Sequence, residues 1–191
     1  MSDLRPTSYA PRPRRPARGF TLIEAALTTV IVGTGVLAIV AAQQAYHQKN
    51  GWAQRTGTGM LLANELREMT MPLPVHDPIT KDQNLGPEPN EPALDDFDDL
   101  DDFAGTLDAG GFGSGTTFSP PINALRQEVP DMERWSQEIQ VENVLPDFIN
   151  ATFTQPLGTT DTVRVTVTVR YQSPTAQDPE TVTSLTWLVT E

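Results

Sequence analysis

The chain has 191 residues, no cysteine and a formal net charge of −12 at neutral pH. That length suits one ordinary domain with appendages, and the missing cysteine excludes disulfides, cysteine-ligated zinc and thiol catalysis. Residues 1–19 hold five arginines and one aspartate, a net of +4 that leaves −16 for the rest; so acidic a body argues against nucleic acid, whose binding needs clustered Lys and Arg.

Residues 1–19 read as a basic leader on the cytoplasmic side. Pro6, Pro11, Pro13 and Pro16 alternate with arginines and leave nothing to bury, so no packed structure is expected there. An apolar run follows from Phe20 to Ala42, about the 20 residues that a spanning helix needs. The arginine excess before it places the leader in the cytoplasm and the acidic body across the membrane. A secretory signal peptide is the rival pattern, with Ala38 to Ala42 as its cleavage region, but it leaves Glu24 unexplained. A carboxylate near the start of an apolar span is either a flank residue that snorkels to the interface or a functional group with a partner. A free amine about one helical turn away is the natural partner, and cleavage between Gly19 and Phe20 creates one.

The stretch "RGFTLIEAALTTVIVG" resembles the prepilin N-terminus of type IV pilins and type II secretion pseudopilins. That family has a basic leader ending in Gly, a Phe at the new N-terminus, and a Glu five residues into an apolar run. Arg18, Gly19, Phe20 and Glu24 match each element. The resemblance rests on Gly19 to Gln44, a small part of the chain. It implies cleavage after Gly19 by a prepilin peptidase, methylation of the Phe20 amine, and assembly in which Glu24 neutralises the Phe20 ammonium of a neighbouring subunit. It also implies other pilins or pseudopilins and an inner-membrane assembly platform as partners. The implied location is the inner membrane, single-pass with the N-terminus cytoplasmic, and then a periplasmic or extracellular filament. Gly33 and Gly35 read as a soft point in the helix, as close-packing sites between subunits, or as ordinary membrane-helix glycines.

Past the membrane Gly51 interrupts the pattern, which returns from Trp52 with Met60, Leu61, Ala63, Leu66 and Met69 at helical spacings. Pro72 and Pro74 stop it. A helix from Phe20 to Met69 is about 75 Å long. "MLLANELREM" is similar, more weakly, to PilV-like minor pilins and I-type minor pseudopilins. Val75 to Pro92 is proline-rich and reads as loop.

Six aspartates, Asp95, Asp96, Asp98, Asp99, Asp101 and Asp102, then alternate in pairs with Phe97, Leu100 and Phe103. The three-residue spacing predicts a short 3₁₀ or α-helical turn with its apolar residues inward and its carboxylates in water. A calcium site is the alternative, since hard cations prefer clustered carboxylates, although no start in the run fits the EF-hand template. The same block is similar to a phrase of PilV- and MshD-type minor pilins. Gly105 to Pro121 reads as a flexible connection. "TVRVTVTVRY" alternates strictly and predicts a strand, with Gln137 to Glu142, Ile149 to Gln155 and Val182 to Thr190 as further candidates.

The expected organisation is α+β and pilin-like: leader 1–19, long helix 20–71 with its transmembrane part at 20–42, Pro/Asp/Gly-rich loops 72–121, and a small antiparallel β domain 122–191 covered by the helix. His47 and His76 are expected to be exposed polar residues outside any site, and Asn150-Ala151-Thr152 matches a glycosylation acceptor. No phosphate loop or serine elbow appears, so neither an enzyme nor a resident cofactor is expected. The function expected is that of a minor pilin or pseudopilin in a type IV pilus or a type II secretion pseudopilus. The alternative is a membrane-anchored or secreted periplasmic binding protein, with calcium as its candidate ligand.

Overall fold

A computed structural model describes residues 19–77, 85–89 and 91–190; apart from Gly19, the expected leader lies outside them. The chain forms an α+β arrangement of one helix, α1 (Leu22–Thr70), and four strands, β1 (Thr116–Phe118), β2 (Trp135–Asn143), β3 (Thr162–Tyr171) and β4 (Glu180–Thr190). Short 3₁₀ turns lie at Asp101–Ala104 and Pro146–Phe148. The contacts separate two units, residues 1–49 and 50–191.

In the first unit every described residue is exposed. Leu22, Ile23, Val30, Ile31, Leu37 and Ile39 all present most of their surface outward. This stretch of α1 is long and apolar enough to cross a membrane, and none of it is buried among the described residues. Its threonines fit that setting. The hydroxyls of Thr28, Thr29 and Thr34 donate to the carbonyls of Glu24, Ala25 and Val30 at 2.7, 2.9 and 3.0 Å. Such back-bonding leaves no hydroxyl unsatisfied in an apolar surrounding.

In the second unit the strands follow one another as an antiparallel meander, in the order β1-β2-β3-β4. Ile139 faces Val167, and Val165 faces Trp187. The alternation read in β3 holds: Val163, Val165, Val167 and Val169 are wholly buried. On the opposite face Arg164 donates to Glu142 at 3.0 Å, and Arg170 is paired with Glu138. A sheet with one oily face needs cover. The cover is the stripe Gly59, Leu62, Ala63, Leu66, Met69 and Thr70 of α1, buried at spacings of three and four. Gly59 lets the helix approach β4, since a Cβ there would sit 3.0 Å from Val182 Cγ1.

The helix expected from Phe20 to Met69 is continuous through Gly51. Three expectations need correction. Met60 and Leu61 are largely exposed, and Leu62 takes the core position instead. Ile149 to Gln155 is not a strand: a 3₁₀ turn precedes it, and its only bridge joins Gln155 to Asn143. Gly105 to Pro121, expected as a flexible connection, holds β1 and a bridge between Leu107 and Gly113, so the sheet starts before residue 122.

One buried polar side chain ties these layers together. Gln137 is wholly buried on β2. Its Nε2 donates to Leu62 O of α1 at 2.7 Å, and its Oε1 accepts from the Ile122 N–H at 2.8 Å. Gln137→Leu strands the Ile122 N–H and is expected to cost about 1–3 kcal/mol. Gln140→Leu, on the other face of the same strand, is expected to stay within about 0.5 kcal/mol of wild type. Unfolding of the full chain in detergent measures both, and equal effects would remove Gln137 from this role.

Candidate functional site

Two regions carry the residues singled out in the sequence. The first is the start of α1. Gly19 and Phe20 are exposed and precede the helix. Glu24 lies in its first turn, where the Thr21 hydroxyl accepts from the Glu24 N–H at 3.3 Å. Thr-x-x-Glu is the capping-box pattern, of which the Thr21 half is formed; this local role for Thr21 was not among the sequence expectations. A carboxylate there also faces the positive end of the helix dipole.

The second region is the acidic block, and here the expectation of a solvated turn fails in half of its members. Asp95, Asp96 and Asp98 are exposed, whereas Asp99, Asp101 and Asp102 are buried. Three-residue spacing does put Leu100 and Phe103 on one inward face, where both are wholly buried. Phe103 meets Phe97 edge to face at 5.2 Å. The aspartates beside these anchors are carried in, against Gly86, Glu88 and Glu91. Gly86 N–H donates to Asp101 Oδ1 at 2.7 Å, and Asp101 Oδ2 is paired with His76 Nδ1. His76 is therefore buried rather than exposed as expected, while His47 is exposed.

Backbone donors hold the rest of the turn. Asp102 Oδ2 accepts from the N–H groups of Asp98 and Asp99 at 3.0 and 3.3 Å, and Asp99 Oδ1 accepts from Asp102 N–H at 3.1 Å. The turn ends at Gly105 with φ +69°, where a Cβ would lie 2.4 Å from Gly115 O, so only glycine closes it. Arg126 clamps the preceding loop by donating to the carbonyls of Leu94 and Phe97, both at 2.6 Å.

Glu88 and Glu91 were not singled out in the sequence, yet both are buried against this turn. Their signal lay in "GPEPNEP": prolines that fix the backbone around two acids three residues apart. Glu91 N–H donates to Glu88 O at 2.9 Å, which closes that turn. Burial raises Glu91 to about 8, with help from hydrogen bonding to Glu88 and from the charges of Asp102 and Glu88. Burial and then the Asp101 charge raise Asp99 to about 7; burial and then the Asp99 charge raise Asp102 to about 6. Asp101 is raised as well, because burial outweighs its bonds to His76 and Gly86.

A cleft of about 660 Å³ opens on the far face of the sheet, lined by Glu142, Asn150, Arg164 and Trp187 among others. Its charges are mutually engaged, since Arg164 donates to Glu142 and to Ala151 O. The class that these observations define is an α+β protein with a long apolar N-terminal helix and a four-stranded antiparallel sheet. No protein-family model, curated protein or solved structure matches the chain.

The raised carboxyls give a signed expectation. Between their unfolded values near 4 and their folded values, the native state holds more protons than the unfolded state. Stability therefore falls as pH rises through about 5 to 8. Thermal unfolding of chelator-treated protein across that range is expected to show the loss, and Glu91→Gln to flatten it. A Glu91→Gln profile parallel to wild type would contradict the assignment.

Proposed function

We propose that the chain is a pilin-like structural subunit, a minor pilin or pseudopilin of a type IV pilus or type II secretion machine, processed after Gly19. One observation carries the reading. The run Gly-Phe-Thr-Leu-Ile-Glu opens a helix whose apolar surface is wholly exposed for its first 28 described residues, from Leu22 to Lys49. A chain that leaves so much apolar surface uncovered needs lipid or copies of similar helices around it. In a bilayer the run is a single-pass anchor, with the arginine-rich leader inside and the acidic domain outside. In a filament the same face packs against neighbouring subunits. Processing would give the Phe20 amine a positive charge, and in hydrocarbon an unpaired charge is expensive. The Glu24 carboxylate of an adjacent subunit offsets it and sets the axial register.

A second reading takes Glu24 as the reciprocal member of the capping box whose Thr21 half is formed, without intermolecular duty. Gln serves a capping box as Glu does but carries no charge, so two substitutions separate the readings. If charge pairing is the role, Glu24→Gln and Glu24→Ala are both expected to insert in the membrane and to be depleted about tenfold or more from sheared filaments or tip complexes. One lost pairing worth about 1.4 kcal/mol already gives tenfold. Wild-type levels of Glu24→Gln beside depletion of Glu24→Ala would assign the residue to capping. Wild-type protein absent from any filament or pseudopilus fraction would contradict the subunit role.

A further inference from the structure

Residues 88 and 91 and the 3₁₀ turn meet at a group of acids that the assembly role does not use. Glu88, Glu91 and Asp102 are all buried, and one oxygen from each lies within 4.8 Å of the others. Asp98 and Asp99 form a second such group with the same Asp102. Glu91 is more than nine-tenths buried and Asp102 wholly so, yet Glu91 Oε2 and Asp102 Oδ1 have no hydrogen-bond donor. A buried carboxylate oxygen without a donor is costly. Among the described residues no lysine or arginine is paired with Glu91, Asp99 or Asp102. Arg126, which reaches the neighbouring loop, donates to carbonyl oxygens there, and His76 is engaged by Asp101.

We propose that Glu88, Glu91 and Asp102 form a binding site for a hard divalent cation, calcium, with Asp99 and Asp98 beside it. The site is oriented before any ion arrives. Asp102 is held through its other oxygen by two backbone N–H groups, and Glu88 and Glu91 are fixed by their turn among prolines. The donors are all carboxylate oxygens, which suit calcium or magnesium and not a soft metal. A cage of three or more carboxylates suits calcium, whereas magnesium keeps several of its waters and takes one or two protein carboxylates. A proton shared by the raised carboxyls is the competing occupant, and an arriving cation displaces it. The ligand set differs from the aspartate run alone, because two of its three members lie before that run.

The test uses the full chain in detergent near neutral pH, stripped with EDTA and titrated with calcium chloride by calorimetry. One ion per chain is expected. At 100 times the dissociation constant the thermal midpoint is expected to rise by roughly 5–10 °C, and by less than half as much with equal magnesium chloride. Glu91→Gln should lose the rise, and Asp96→Asn, at an exposed position, should keep it. If Glu91→Gln does not fold, Glu88→Gln takes its place. No saturable binding by wild type up to about 10 mM calcium, or a full calcium rise in the glutamate variant, would overturn the proposal. An equal rise with magnesium would overturn the choice of calcium.

Discussion

The contact on which the folded domain depends is the one between the α1 stripe and the valine face of β3. Leu62, Ala63, Leu66 and Met69 share one core with Val163, Val165, Val167 and Val169. A four-stranded meander with one apolar face needs cover, and a 3.6-period stripe of about three turns supplies it. Once that pairing is set, the other elements have their places. Gln137 fastens β2 to the helix backbone at Leu62, and Arg55 of α1 lies over the Tyr171 ring at 4.7 Å. Leu100 and Phe103 bring the acidic turn against the same core.

That last docking creates the tension in the molecule. A run of aspartates is most stable in water, but two apolar anchors within it are worth more inside. The acids beside them are then enclosed by the segment carrying Glu88 and Glu91. Backbone N–H groups compensate part of the enclosed charge, at Asp99, Asp101 and Asp102. Repulsion and burial push the protonation of the remainder upward, which makes this corner of the domain responsive to pH and to cations. The first unit has a different unmet demand: none of its apolar surface is buried among the described residues.

Much of the fold was legible in the sequence, because period and punctuation carried it. Strict alternation from Thr162 to Tyr171 marked β3, and Pro72 with Pro74 marked the end of α1. The errors fell where tertiary contacts decide. Nothing local distinguishes Leu61, which is exposed, from Leu62, which is buried; only the position of the sheet does. Three residues of β1 inside a Gly- and Thr-rich stretch are too few to show a period. His76 and Glu91 looked like ordinary loop residues, because their partners at Asp101 and Asp102 lie 25 and 11 positions away. At the start of α1 the sequence exposed the family resemblance but not the capping role of Thr21, whose pattern was masked by the more conspicuous Gly-Phe.

The proposed subunit role requires cleavage between Gly19 and Phe20 at the head of α1. Mass spectrometry of the mature protein from its native membrane measures this directly. The account predicts a chain whose first residue is Phe20, carrying one methyl group on its amine. An intact Met1, or a new N-terminus after Ala42, would contradict it.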